Sequence, residues 1–220
     1  RILVTGGAGY IGSHTCIELI KANYEVIVVD NLCNSSVESL NRVESLVDRK
    51  IPFHKVDIRD KASLTKIFEQ YQIDGVIHFA ALKAVGESVE KPIEYYDVNV
   101  NGTVVLANVM REFNCKIFVF SSSATVYGDP HTLPIKEDFP LKATNPYGRS
   151  KLIIEEFLKD IFVADDSWRI SILRYFNPIG ADKSGLIGED PKGTPNNLIS
   201  YISQVAVGKL EKLSVFGGDY

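Results

Sequence analysis

The sequence has 220 residues, 45% hydrophobic and 24% charged, enough to bury one substantial core and to belong to the ordinary globular class. A net charge of −4 and a pI near 5.6 offer no basic footprint for nucleic acid or for an acidic membrane surface, so neither partner is expected. Cys16, Cys33 and Cys115 are odd in number and far apart, with no C-x-x-C pair, which favours a reducing compartment and reads all three as packing residues. No apolar run is long enough for a membrane span and no charged-then-apolar leader opens the chain, so the expected location is cytoplasmic.

In chain order, the apolar run Ile2-Leu3-Val4 enters Thr5-Gly6-Gly7-Ala8-Gly9-Tyr10-Ile11-Gly12 and then an amphipathic segment through Ile20. A buried strand, a glycine turn and a helix start leave backbone N–H groups facing a ligand, an arrangement suited to a pyrophosphate. Small residues at Gly7, Gly9 and Gly12 let the backbone approach it closely. A second apolar run, Val26 to Val29, ends at Asp30, whose carboxylate can accept hydrogen bonds from ribose hydroxyls and repels a 2′-phosphate. That argues for NAD over NADP.

Strands and helices then alternate at the spacing of β-α-β units. The pattern predicts helices over 36–47 and 61–70 around a short strand at 53–56, and a fourth strand over 75–79. A long helix from Ile93 to about Phe113 precedes a fifth strand at 116–120; a helix from Pro146 to about Phe162 precedes a sixth at 170–174. Right-handed crossovers make this an α/β fold, a doubly wound (Rossmann-type) parallel sheet. After Arg174 the pattern loosens into loops rich in Gly, Pro and Asn, with one amphipathic helix around 199–207. The expected division is therefore an NAD-binding domain over 1–175 and the beginning of a smaller C-terminal substrate domain over 176–220. The chain starts directly on a strand at Arg1 and stops at Phe216-Gly217-Gly218-Asp219-Tyr220 without an evident final element, and so reads as part of a longer chain.

Ligands of open α/β sheets sit beyond the carboxyl ends of the strands. The polar residues there are Asp57-Ile58, the segment Ala80 to Lys83, Ser121 to Thr125, and Tyr175 to Pro178. Asn145 can cap a helix whose first position is Pro146, placing Tyr147 in the first turn with Lys151 four residues on, on the same face. Lowering a phenol from its ordinary value of about 10 by roughly 3 units requires on the order of 4 kcal/mol of preferential stabilisation of phenolate. A nearby ammonium, a positive nicotinamide ring and the helix N-terminus all push that way. Ser123, Ser122 or Thr125 could relay a hydrogen bond between a substrate hydroxyl and Tyr147, and residue type alone does not separate them.

These blocks, with DNLCNS at 30–35, HFAALKAVGES at 78–88, FSSSATVYG at 120–128, LRYFNPIG at 173–180 and GEDPKGTPNNL at 188–198, resemble the extended short-chain dehydrogenase/reductase superfamily. Within it, the whole chain is closely similar to the UDP-galactose (UDP-glucose) 4-epimerase family. One small departure is Ala81, where the family commonly has Gly.

The resemblance implies an isomerase of galactose metabolism that oxidises the sugar transiently to a 4-keto form with NAD, lets it rotate and reduces it again. It assigns Tyr147 as base, Lys151 as its partner and nicotinamide-ribose ligand, and Ser123 as the hydroxyl on the substrate's O4. Around NAD it places Gly6, Gly7, Gly9, Tyr10, Ile11, Gly12, Asp30, Asn31, Asn34, Ser35, Asp57, Ile58, Phe79, Ala80, Lys83, Asn99, Tyr147, Lys151 and Tyr175. Asn177, Asn197, Leu198 and Phe216 would contact UDP-galactose or UDP-glucose, as would Lys83, Ser123 and Tyr147. A homodimer through the helices flanking the fifth strand is implied as well.

Two alternatives stand beside this. Another NAD-dependent nucleotide-sugar epimerase or a 4,6-dehydratase shares the cofactor site and the Tyr/Lys pair, although dehydratases typically place an acid pair where this chain has Ala124-Thr125. A catalytically silent NAD-binding regulator would keep the glycine turn and Asp30 but has no need of Tyr147 and Lys151. The four histidines, His14, His54, His78 and His131, show no metal-ligand spacing, and no metal is expected. Trp168 reads as packing, and Glu155, Glu156, Lys159 and Asp160 as a solvated helix face.

Overall fold

A computed structural model describes residues 1–191, 197–215 and 217–218. Six parallel strands form one sheet: β1 (Ile2–Thr5), β2 (Val26–Asp30), β3 (Phe53–Lys55), β4 (Gly75–His78), β5 (Ile117–Ser123) and β6 (Arg169–Tyr175), in the order β3-β2-β1-β4-β5-β6. The register pairs Ile2 with both Val26 and Gly75, so β1 lies at the centre and the order reverses between β1 and β4. A cleft outside the carboxyl ends of the strands opens at that reversal.

The helices are α1 (Tyr10–Lys21), α2 (Val37–Val47), α3 (Lys61–Gln70), α4 (Val85–Glu90), α5 (Pro92–Tyr95), α6 (Gly102–Glu112), α7 (Pro146–Ala164) and α8 (Leu198–Ala206). Their starts follow local chemistry. Ser36 Oγ accepts from the Glu38 N–H, Asp60 Oδ1 from Ser63, and Asn145 Oδ1 from Gly148, with Pro146 in the first turn of α7. Every residue of β2 is buried, as a strand covered on both faces requires. One core cluster gathers Leu3, Val76, Phe118 and Phe120 with α3, α6 and α7; the other gathers Val4, Val28, Cys16 and Leu40 with α1 and α2. Trp168 packs in the first, as its sequence position suggested.

Four features depart from the sequence-based expectation. The helix expected from Ile93 to Phe113 is broken into α5, a π-helical stretch Tyr96–Asn101, and α6; the wider turn carries the buried amide of Asn99. Strand β5 continues beyond Phe120 through Ser123, paired residue by residue with Leu173, Arg174 and Tyr175 of β6. Glu155 is not part of a solvated face: it is fully buried, whereas its neighbours Glu156, Lys159 and Asp160 are exposed. Cys16 and Cys115 are packing residues, but Cys33 is exposed.

Candidate active site

At the β1–α1 turn, Gly6 has a positive φ of 69° and donates its N–H to Val29 O at 2.8 Å. A Cβ there would lie 2.7 Å from the backbone nitrogen of Ala80, and one on Gly12 would collide with the carbonyl oxygen of Gly6. Only glycine allows strand, turn and helix to come this close. Gly9 caps α1 without any side-chain hydrogen bond, so the first-turn amides keep their positive end directed at the cleft.

Asp30, at the tip of β2 and 6% exposed, accepts hydrogen bonds from Ala8 N–H at 3.1 Å, Leu32 N–H at 2.8 Å and the Ser35 hydroxyl at 2.8 Å. Asn31 donates to Asp57 Oδ2 at 3.0 Å, and the Arg59 guanidinium holds the Asp57 carboxyl well below the usual carboxylate range. Ile58 is buried, Asn34 exposed, and Ile11 half-buried. The glycine turn, the uncapped amides and this carboxylate fit a dinucleotide: donors where a pyrophosphate lies, an acceptor where a ribose lies.

Across the reversal, the Phe79 and Tyr175 rings meet edge to face at 6.5 Å. Asn99, 1% exposed, accepts from Leu82 N–H at 2.8 Å and donates to Leu82 O and to Ser150 Oγ, each at 3.0 Å. It is a satisfied buried amide that fastens the Ala80–Lys83 loop to α7. Beside it, His78 lies between the hydroxyls of Thr5 (2.6 Å) and Thr103 (3.0 Å), and burial pushes its imidazole down to about 3, so it stays neutral.

Ser123, Tyr147 and Lys151 converge where β5 meets α7. Ser123 Oγ accepts from the Thr125 N–H at 3.2 Å and hydroxyl at 3.0 Å, and its own hydroxyl interacts with the Tyr147 phenol. Of the two alternatives, Ser122 is turned away from the cleft, its hydroxyl donating to Glu155 at 2.5 Å, and the Thr125 hydroxyl is given to Ser123 Oγ. Lys151, 3% exposed, donates to Ser121 O at 2.7 Å and stands 4.9 Å over the Phe120 ring and 5.9 Å from the Tyr147 ring centre. Burial brings its ammonium down to about 7, with Glu155 acting the other way.

The expected lowering of the Tyr147 phenol is not produced by the protein groups alone. Burial raises it above its ordinary value and the Ser123 interaction opposes that only in part. Lys151 is within reach of the ring, but a buried phenolate loses more hydration than these two partners return.

Lys151 carries a consequence for stability. Its folded-state value, about 7, lies below its ordinary 10.5, so between those pH values the unfolded chain binds the extra proton. Stability therefore rises with pH across that window, and Lys151→Met should flatten the rise in denaturant unfolding followed from pH 7 to 10.

Of the remaining residues, Lys83 and Asn197 meet at Glu189, which sequence reasoning passed over. Lys83 donates to Glu189 Oε1 at 3.3 Å, Asn197 to the same oxygen at 2.8 Å, and Ser200 to Oε2 at 2.6 Å. Lys83 and Asn197 are thus brought together, while Asn177 and Leu198 are exposed. Tyr10 donates to Gly180 O at 2.5 Å and ties α1 to this segment. Phe216 lies outside the described residues. Glu155, buried against Ser122, was also missed; an acid four residues after Lys151 was the available signal, read as surface charge.

Comparison with known proteins agrees with this geometry. The family model described as GDP-mannose 4,6 dehydratase matches residues 3–220. The UDP-glucose 4-epimerase of Bacillus subtilis (strain 168) is 58% identical over 219 residues, covering 100% of this chain and 65% of that protein. A crystal structure of the Bifidobacterium longum UDP-glucose 4-epimerase, in complex with NAD+ and UDP, superposes with a TM-score of 0.96 at 56% identity, covering 100% of this chain and 66% of that one. The Stenotrophomonas maltophila enzyme, with bound NAD and formylated UDP-arabinopyranose, gives a TM-score of 0.97 at 46% identity with the same coverage. The chain thus spans just under two thirds of the length of these relatives. With a match running from residue 3 to residue 220, a Rossmann-type sheet and a Ser/Tyr/Lys convergence, it belongs to the GDP-mannose 4,6 dehydratase family, within the extended short-chain dehydrogenase/reductase superfamily.

Proposed function

We propose that the protein is an NAD-dependent epimerase interconverting UDP-galactose and UDP-glucose at C4 of the hexose. The observation that carries this is the convergence of Ser123, Tyr147 and Lys151 on the cleft bounded by the glycine turn and Asp30. The relatives named UDP-glucose 4-epimerase support it. They also favour it over a 4,6-dehydratase, as does Ala124-Thr125 in place of an acid pair.

In this reading the α1 amides bind the dinucleotide's pyrophosphate and Asp30 its adenosine ribose. When bound, NAD+ supplies the acceptor and donor of hydride for the sugar carbon. Tyr147 takes the proton of the 4-hydroxyl and returns one to O4, and Ser123 hydrogen-bonds that oxygen. The Lys151 ammonium stabilises the phenolate through space and binds the nicotinamide ribose. Because burial holds the phenol above its ordinary value, the base form depends on cationic charge beside it. Lys83 exchanges Glu189 for the diphosphate, and Asn177, Asn197, Leu198 and Phe216 grip the UDP moiety. Residues 176–220 then begin the substrate-binding part.

The same reading makes the protein a cytoplasmic homodimer paired through α6 and α7. Among the described residues no helix is long and apolar enough to cross a membrane.

The test is proton NMR of UDP-galactose mixed with the protein, with no NAD added. Appearance of UDP-glucose is the expected result and establishes a resident cofactor at the same time. No conversion, even with NAD supplied, would point to a different nucleotide sugar or to an NAD-binding protein without catalysis.

A further inference from the structure

Glu189 ties two sides of the cleft together, and the proton transfer described above does not use it. Its side chain is 16% exposed and accepts from three donors: Oε1 from Asn197 Nδ2 at 2.8 Å and Lys83 Nζ at 3.3 Å, Oε2 from the Ser200 hydroxyl at 2.6 Å. Asn197 is the N-cap of α8 and Ser200 the third residue within it, while Lys83 lies on the loop between β4 and α4. One carboxylate therefore joins the start of α8 to the cofactor side of the cleft.

The three contacts are unequal. Lys83 is 54% exposed and makes the longest of them, so water screens the pair and the ammonium can leave at little cost. The bonds from Asn197 and Ser200 are short and charge-assisted, and Ser200 is buried. Asn197 shows the effect of that pull. An asparagine at an N-cap ordinarily turns its side-chain oxygen onto an N–H of the first turn. Asn197 makes no such bond and gives its amide nitrogen to Glu189. The carboxylate thus replaces the cap as the group that orients this side chain.

We propose that Glu189 is a positioning residue for the nucleotide sugar: it pre-sets the Asn197 side chain for the UDP moiety, acting through its hydrogen bonds and not through its charge. The ligand named here rests on the function proposed above; the Glu189–Asn197 clasp does not. By charge alone, a carboxylate beside an incoming diphosphate repels it and competes with it for Lys83. Positioning and charge therefore predict opposite outcomes for two conservative variants. Glu189→Asp keeps the charge and shortens the reach by one methylene. Glu189→Gln loses the charge but keeps an acceptor for Asn197 and a partner for the Ser200 hydroxyl.

Calorimetric titration of the protein with UDP, NAD being supplied, separates the two. Glu189→Asp should weaken UDP binding by about 3–10-fold, the net worth of one hydrogen bond, and Glu189→Gln should bind no more weakly than the parent. In an Asn197→Ala background, Glu189→Asp should change the affinity by less than about twofold, because the group it positions is gone. Parent-like binding in Glu189→Asp, equal weakening in Glu189→Gln, or the full loss with Asn197 already removed overturns the proposal.

The clasp itself is read in the ligand-free protein from the Asn197 side-chain amide in ¹H–¹⁵N spectra, assigned by its disappearance in Asn197→Ala. Its exchange with solvent should be slow in the parent and in Glu189→Gln and faster in Glu189→Asp; unchanged exchange in Glu189→Asp also overturns the proposal. The expected exchange pattern in a protein that binds no UDP would overturn the proposed function and the ligand named here, and leave the clasp standing.

Discussion

Tyr147→Phe should lower turnover of UDP-galactose by roughly 10²–10⁴-fold, the range lost with a general acid–base group, while NAD binding survives. The two results separate because the phenol oxygen and the ring do different things. The ring meets Tyr95 edge to face at 6.5 Å, a contact that Phe retains. The fold around it rests on other atoms: Ser150 Oγ donates to the Tyr147 carbonyl oxygen at 2.7 Å, and Asn145 caps the helix. Removing the hydroxyl therefore takes away a proton-transfer group and its Ser123 interaction and little else. Initial rates under saturating substrate, with bound NAD quantified after acid release, make the measurement. Near-normal turnover would remove Tyr147 from the base role; loss of NAD together with activity would make it a cofactor-binding residue first.

Arg174→Met should destabilise the fold by about 3–5 kcal/mol, the usual cost of leaving one partner of a buried ion pair alone. Arg174 is 16% exposed at its side chain and Glu155 not at all, so the carboxylate left behind has no route to water. The substitution also strips donors from Tyr127 Oη and Glu137 O. A second change, Glu155→Leu, should recover part of the loss, because a neutral apolar pair of similar volume no longer carries a buried charge. Equilibrium unfolding in urea of the two single variants and the double variant reads both effects. A loss below about 1 kcal/mol for Arg174→Met would place the pair among those whose energy solvent screens away.

Much of the fold was legible because its signals are local. Apolar runs of four or five residues, the glycine turn and the caps at Ser36, Asp60 and Asn145 each act within a few residues of themselves. Alternation of strand and helix then leaves few topologies, since right-handed crossovers prune the rest. The interrupted helix at Tyr96–Asn101 was not legible, as its wider turn answers to Leu82 and Ser150, which are far away in sequence.

The cleft shows the same division. Residue types and spacing in the sequence were enough to determine a Rossmann-type sheet, a glycine turn and a Tyr/Lys pair on one helix face, because covalent geometry and helix period place those groups without help. Only the tertiary structure decided that Ser122 turns away and Ser123 faces Tyr147, that Lys83 pairs with Glu189, and that Glu155 is core rather than surface. It also decided the direction of the Tyr147 phenol, which burial raises. Each of these depends on how much water a group has lost and on which partner arrives from a distant strand, and neither quantity is a property of a residue and its neighbours along the chain.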